Sequence, residues 1–385
     1  MNNFTFSNTT SVFFGKGQIA QLASAIPATA RVLVTYGGGS IKKNGVYDQV
    51  KSALAGFTWF EFSGIEPNPH YETLLKAVDV VKANQVDFIL AVGGGSVIDG
   101  SKFIAAAAVY SGDPWDIIKT YGGCVTAALP LGSVLTLPAT GSEMNTGSVV
   151  TRAATQDKLF FQSPLVQPKF AVLDPETTYS LPPRQIGNGI VDSFVHTVEQ
   201  YMTWPVNAKV QDRFAEGLLH NLIEDGPAAL ANPTDYDVRA NLMWTATMAL
   251  NGLISTGVPV DWATHMIGHE LTGLFGLDHA QTLAIVLPAV WQYKKAQKFA
   301  KLLQYAERVW DLRDGDENAR VDQAIENTRA FFESIGVATR LSAYGLDEKV
   351  IPAVTAKLTE HGHVRLGEHA DITPDDVSKI LRLAL

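Results

Sequence analysis

A chain of 385 residues is too long for one ordinary hydrophobic core, so two domains are expected. Hydrophobic residues at 46% and charged residues at 18% give a globular balance that excludes a disordered tail. The formal charge of −9, from 39 acidic against 30 basic residues, excludes a nucleic-acid binder, which needs clustered Lys and Arg against phosphate.

The first residues, MNNFTFSNTT, lack the positive flank and apolar run of a secretory signal. The longest apolar stretches, Ile104–Tyr110 and Leu283–Trp291, are too short to span a membrane. Cys124 is the only cysteine, which excludes an intrachain disulfide and a Cys-based zinc site. It reads as a small residue in a loop or core. A soluble, cytoplasmic protein of a reducing compartment is expected.

In chain order, Arg31–Tyr36 is strand-like and runs into Gly37-Gly38-Gly39-Ser40. Helical patterns follow at Tyr47–Leu54 and Tyr71–Ala83, then a second strand, Val86–Val92, ends in Gly93-Gly94-Gly95-Ser96. Ser133–Leu137 and Phe170–Leu173 are further strands. Strands alternating with helices predict a Rossmann-like α/β domain, a parallel sheet covered by helices on both faces, over residues 1–180. After Leu181-Pro182-Pro183 the rhythm changes. Apolar residues recur three and four apart through Ile186–Met202, Asp212–Ile223 and Val238–Leu253, which predicts an all-α domain over 181–385. The crevice between the two is the expected site.

Each glycine cluster follows a strand and opens a helix, so backbone N–H groups there can approach a pyrophosphate. One such turn alone is equally a tight turn needing positive φ; two at strand ends of one sheet favour a dinucleotide. Neither fits the strict fingerprint, because Ile98 and Lys42 stand where a third glycine is expected. A P-loop is disfavoured too: after Gly95-x4-Gly100 the order is Ser101-Lys102, the reverse of what phosphate and magnesium binding require. For Asp99, in the first turn of the following helix, both a helix-terminus acid and a cofactor contact remain open.

Of nine histidines, three fall within one short stretch, WATHMIGHELTGLFGLDHAQ. His265 and His269 are i and i+4 and share a helix face. Asp278 can cap a new helix with His279 at its start. Upstream, Asp192 and His196 form another i, i+4 pair in an apolar helix. Imidazoles and a carboxylate converging from buried helices suit a divalent transition metal. His269-Glu270 is not a zinc-protease motif, since Gly273 takes the place of the second His. His70, His220, His361, His363 and His369 read as surface or structural.

Together these pieces resemble the group III, iron-containing alcohol dehydrogenase family over essentially the whole chain. The resemblance rests on Phe13-Phe14-Gly15-Lys16-Gly17, Glu66-Pro67-Asn68-Pro69, Gly93-Gly94-Gly95-Ser96-x-x-Asp99, Thr136-Leu137-Pro138-Ala139-Thr140-Gly141-Ser142-Glu143, Asp192-x3-His196 and His265-x3-His269-x9-His279. It is strongest for the bacterial NADPH-dependent aldehyde reductases related to butanol dehydrogenases. It implies one metal ion per chain, Fe(II) or Zn(II), on Asp192, His196, His265 and His279, with His269 beside it for proton transfer. It implies dinucleotide contacts from Asn68, the Gly94–Ser96 turn, Asp99, Thr136, Thr140, Asn145 and Lys158, and it implies a homodimer.

NAD-using members place an acid after the strand that corresponds to Arg31–Tyr36, where it binds the adenosine ribose. Here that place is Gly38. Without the acid, a 2′-phosphate has room beside Gly37, Gly38, Gly39 and Ser40, with Lys42 or Lys43 to add charge, so NADP(H) is expected. The expected activity is reduction of aldehydes to primary alcohols, and the reverse, by hydride transfer at the metal. The rival from another enzyme class is a cyclising lyase of the dehydroquinate synthase kind, also metal- and nicotinamide-dependent. It needs a multiply charged pocket, whereas Trp244, Met248, Leu253, Trp262, Met266 and Phe275 favour an apolar substrate. A nucleotide-binding protein without catalysis is disfavoured by the metal set.

Overall fold

Short β-branched and aromatic runs, separated by helices, form one six-stranded parallel sheet in the structure, a computed structural model that describes residues 1–385. Its strands are β1 (Ser11–Phe14), β2 (Arg31–Thr35), β3 (Thr58–Phe62), β4 (Phe88–Gly94), β5 (Leu131–Leu137) and, past a separate antiparallel hairpin of β6 (Gly147–Arg152) and β7 (Asp157–Gln162), β8 (Phe170–Leu173). The spatial order is β1-β8-β5-β4-β2-β3, every pair parallel. Between the strands lie α1 (Leu22–Ala25), α2 (Val46–Ala53), α3 (Tyr71–Ala83), α4 (Gly95–Ala107) and α5 (Trp115–Lys119).

Alternation along the strands builds the core. Val32, Val34, Leu90 and Val92 join one buried cluster, while Leu33, Ile89 and Ala91 join the other. Successive strand residues point to opposite faces, so β4 is buried on both sides, as a central parallel strand must be. Helix α3 buries Tyr71, Leu74, Ala77, Val78 and Val81, one helical stripe, in the second of these clusters.

Strand order also fixes where a ligand would bind. From β2 the chain steps outward to β3; from β4 it steps the opposite way to β5. The two glycine turns therefore leave the C-terminal ends of neighbouring strands flanking the point where the order reverses. Open α/β sheets bind ligands at that position.

The remaining helices are α6 (Pro183–Tyr201), α7 (Lys209–Ala231), α8 (Tyr236–Ala249), α9 (Ala263–Phe275), α10 (His279–Tyr293), α11 (Lys295–Val309), α12 (Glu317–Ser334), α13 (Ile351–Glu360) and α14 (Pro374–Leu383). By packing, the chain divides into an α/β unit of Ser7–Leu181 with Pro233–Thr247, and a helical unit of Met1–Phe6, Pro182–Asn232 and Met248–Leu385. Sequence periodicity does not foresee the excursion of Pro233–Thr247. It is held in the α/β unit by Met243 in the core and by Trp244, whose ring meets Phe14 edge-on at 6.0 Å. In the helical unit, α9, α10, α13 and α14 share one apolar cluster that includes Ile267, Leu271, Val286, Val354 and Leu381. No helix is long and apolar enough to cross a membrane.

Candidate metal centre and dinucleotide loops

Helix α6 is buried along most of its length, so the polar residues within it need partners inside the protein. Asp192 and His196 lie one turn apart on it, both buried. Helix α9 carries His265 and His269, also buried, and ends at Gly276. Asp278 then starts α10: its N–H donates to Gln281 Oε1 (3.0 Å), and its carboxylate receives Asn188 (2.7 Å) and Arg184 (2.7 Å) from α6. This clamp of α10 onto α6 places His279, the first residue of α10, beside Asp192.

The result is a convergence on one atom. Asp192 Oδ1 lies 3.5 Å from His196 Nδ1, 3.7 Å from His279 Nε2 and 3.9 Å from His265 Nε2. Ligand atoms of Asp192, His265 and His279 all lie within 4.8 Å of one another. His196 is outside that mutual set, and its ring stacks on His265 at 4.6 Å. Asp192 Oδ1 is buried and accepts no hydrogen bond from the protein. A tetrahedral ion with metal–ligand bonds near 2.1 Å separates its ligand atoms by about 3.4 Å, and these spacings fit one with small closures. A carboxylate among imidazoles is a donor set for Fe(II) or Zn(II) rather than for Mg²⁺ or Ca²⁺.

Glu199 lies one further turn along the same face of α6, and its i+7 spacing from Asp192 is its only sequence signal. Its Oε2 receives His265 Nδ1 in a short hydrogen bond, and its Oε1 receives the Thr264 N–H at 2.7 Å. With Nδ1 donating to Glu199, His265 presents Nε2 toward Asp192, the tautomer a metal needs. Burial, aided by nearby Asp261, holds the Glu199 carboxyl well above the usual carboxylate range, while the Thr264 N–H acts the other way. Glu199→Gln is expected to weaken metal affinity by about 10- to 100-fold, read by chelator competition; unchanged affinity would contradict this positioning role.

His269 does not touch Asp192 but lies beside the group, its ring 5.1 Å from His279 and 6.2 Å from His265. Trp262 precedes α9 with φ +94°, a strained value for a bulky residue, and sets its indole edge-on to His265 at 5.3 Å. Among the six apolar residues expected near the metal, Trp262 is the one whose ring lies against the histidines. Trp244 instead packs on Phe14, and Met266 and Phe275 pack on the helical core.

In the α/β unit, α4 begins directly at Gly95, with Gly94 as its N-cap. A Cβ at Gly93 would lie 2.6 Å from Val97, at Gly94 2.9 Å from Leu137 and at Gly95 2.3 Å from Thr140. These glycines let the turn pack closely against the side chains of Val97, Leu137 and Thr140. Gly95→Ala is expected to lower the unfolding free energy by about 1–3 kcal/mol, measured by urea denaturation; an unchanged midpoint would contradict the tight packing. The pairing of β4 with β5 skips Thr136, a bulge that re-aims this residue at the strand end. Asn68 sits at φ +55° and donates its N–H to Ser96 Oγ at 3.2 Å, so Asn68 and Ser96 are brought together.

Asp99 has both oxygens engaged by protein: Oδ1 receives Ser142 Oγ and Oδ2 receives the Val149 N–H at 2.9 Å. It fastens α4 to the segment running into β6, and burial raises its pKa. Lys102, treated in the sequence only as a reversed P-loop residue, is fully buried one turn further on. It donates to Asn145 Oδ1 (2.9 Å) and to the Gly147 carbonyl (2.7 Å), and burial pushes its ammonium down to about 8. Asn145 Nδ2 in turn reaches the Thr140 carbonyl at 3.3 Å. Lys158 is buried on β7. Thr140, Asn145 and the start of β6 are thus tied to α4 by one polar network.

The first glycine turn behaves differently. Gly39 has φ +89° and needs glycine, but Gly38 has no positive φ and a Cβ there would meet nothing within 4 Å. Neither backbone conformation nor packing requires Gly38. Ser40 is exposed beside it. Lys42 is drawn to Glu61, with Nζ 3.2 Å from Oε2, and lies over the Tyr47 ring, whereas Lys43 is exposed.

Two of the histidines read as surface or structural are neither plain surface nor isolated: His361 and His363 meet buried Glu270. Of the others, His70 is half-exposed near Glu66, His220 Nε2 lies 2.8 Å from the Arg308 carbonyl, and His369 meets the Trp204 ring. Cys124 is partly buried against the core.

Comparison with known proteins reaches both parts of the chain. Residues 9–175 match the family model for iron-containing alcohol dehydrogenase, and residues 187–385 match the C-terminal model of the Fe-containing alcohol dehydrogenase family. The chain is 62% identical, over 100% of both chains, to the NADPH-dependent aldehyde reductase YqhD of Escherichia coli. It is 38% identical, over 99% of both, to NADH-dependent butanol dehydrogenase A of Clostridium acetobutylicum. A crystal structure of Escherichia coli YqhD superposes with a TM-score of 0.99 at 62% identity, covering 100% of this chain and 99% of that one. These matches favour the oxidoreductase over the cyclising lyase. The chain belongs to the iron-containing alcohol dehydrogenase family.

Proposed function

We propose that this chain is a metal-dependent, NADPH-using aldehyde reductase that also runs the reverse oxidation of primary alcohols. The observation that carries the proposal is the buried Asp192 oxygen, bare of protein donors and ringed by His196, His265 and His279. Those four residues would hold one Fe(II) or Zn(II). When bound, the ion supplies a Lewis acid that polarises the aldehyde carbonyl toward hydride from the nicotinamide.

The chain's own residues do the rest. Glu199 orients His265, and His269 donates the proton that completes the alcohol. Trp262 presents an apolar wall suited to an alkyl aldehyde. The amides of Gly94, Gly95 and Ser96 at the α4 N-terminus would take the pyrophosphate. Asn68, Thr136, Thr140, Asn145 and Lys158 line the ribose and nicotinamide, with Asp99 acting as a positioning residue through Ser142 and Val149. Gly37, Gly38, Gly39 and Ser40 receive the 2′-phosphate. The YqhD protein is named for NADPH and the butanol dehydrogenase for NADH, so family membership leaves the cofactor open. Gly38, which the fold does not require to be glycine, favours NADPH. A cytoplasmic homodimer belongs to the same proposal.

The test follows the absorbance of NADPH and NADH in parallel across a panel of short aldehydes. NADPH is expected to be oxidised faster with butanal. Preferred use of NADH would overturn the cofactor reading alone, whereas no oxidation with any aldehyde would overturn the reductase reading.

A further inference from the structure

We propose that Glu270, His361 and His363 form a second divalent-metal site, structural in role and separate from the Asp192 group. Glu270 is 1% exposed on α9, the residue directly after His269. Helix α13 ends at Glu360, and the chain reverses at Gly362, φ +76°. Two backbone bonds hold that reversal, from the His361 N–H to the Lys357 carbonyl (2.9 Å) and from the His363 N–H to the Leu358 carbonyl (2.8 Å). The positive φ of a glycine at this helix end is what lets imidazoles two residues apart face the same carboxylate.

The donor atoms converge. Glu270 Oε1 lies 2.8 Å from His361 Nδ1 and 3.9 Å from His363 Nδ1, and the three residues offer ligand atoms all within 4.8 Å of one another. The hydrogen bond to His361 accounts for one carboxylate oxygen only. Glu270 Oε2 and His363 Nδ1 are both buried without a hydrogen-bond partner. A buried carboxylate oxygen and a buried imidazole nitrogen left without partners in one cluster are unfavourable unless a ligand satisfies them. Two imidazoles and one carboxylate suit a borderline transition cation such as Zn²⁺ or Co²⁺, with room for water at the remaining positions because His363 is 18% exposed. Such an ion would fasten the C-terminal end of α13 to α9, elements that already share the apolar cluster containing Ile267, Leu271 and Val354.

The test uses the full-length chain, stripped with chelator and dialysed against micromolar Co²⁺ or Zn²⁺, with bound metal counted per chain. Two equivalents are expected in the wild type. His265→Ala/His279→Ala should retain one, and His361→Ala/His363→Ala should retain one together with wild-type NADPH oxidation. Should the latter double variant fail to fold, the near-isosteric Glu270→Gln gives the same readout, a drop from two equivalents to one. A single equivalent in the wild type overturns the proposal, as does a second equivalent that survives in Glu270→Gln.

Discussion

His265→Ala and His279→Ala are each expected to remove the active-site metal and the aldehyde reductase activity together. Both imidazoles point Nε2 at Asp192 Oδ1, and the three residues make up the mutual ligand set. Losing one leaves two of three close donors and a buried carboxylate with less compensation. Lewis-acid polarisation contributes several kcal/mol to a transition state, so its loss should lower kcat/KM by about a thousandfold or more. His269→Ala should separate from these, keeping the metal and losing rate, because its ring stands beside the group and not against Asp192. Metal content from elemental analysis, alongside kcat/KM for butanal, checks the pair. Activity retained in a metal-free His265→Ala chain would remove the metal from the chemistry.

Gly38→Asp is expected to turn the enzyme from NADPH toward NADH. The backbone at Gly38 accepts any residue and a Cβ there meets open space, so the substitution should fold normally. A carboxylate at that point would face the 2′-phosphate, and like charges a few ångströms apart in a partly screened site cost several kcal/mol. kcat/KM for NADPH should fall about a hundredfold or more, while NADH gains a partner for its ribose hydroxyls. An unchanged NADPH preference would place the 2′-phosphate elsewhere. Lys42 is a weaker candidate for phosphate binding than its position in the sequence suggests, because Glu61 already holds it.

Local signals account for what could be read from the sequence. The alternation of strands and helices, the two glycine turns and the i, i+4 pairs are patterns within a few residues, and the structure places them where those patterns imply. β3 is an edge strand with a mixed, partly exposed pattern, Thr58–Phe62, and gives no clean alternation. The β6–β7 hairpin is set by contacts of Ser148 and Val149 with Asp99 on α4 that no local window contains. Val238–Leu253 reads as one more helix, and only packing shows that the chain as far as Thr247 joins the α/β unit.

The site divides the same way. Asp192 with His196, and His265 with His269, share helix faces, so their grouping was legible. Glu199 lies on the same face, but a carboxylate two turns from an aspartate reads as an ordinary helix residue. Lys102 was masked by its motif context. The Glu270, His361 and His363 cluster joins residues 91 positions apart through a helix end, which nothing in the local sequence announces.

The most direct test of the account is a metal titration. The chain is stripped of metal, and NADPH oxidation with butanal is followed as Fe(II) or Zn(II) is returned. The account predicts no turnover in the stripped wild type, and restoration by the one equivalent that occupies the Asp192 group; the His361→Ala/His363→Ala chain should recover fully with a single equivalent. Full turnover in the stripped chain, or none after metal returns to the Asp192 group, would contradict it.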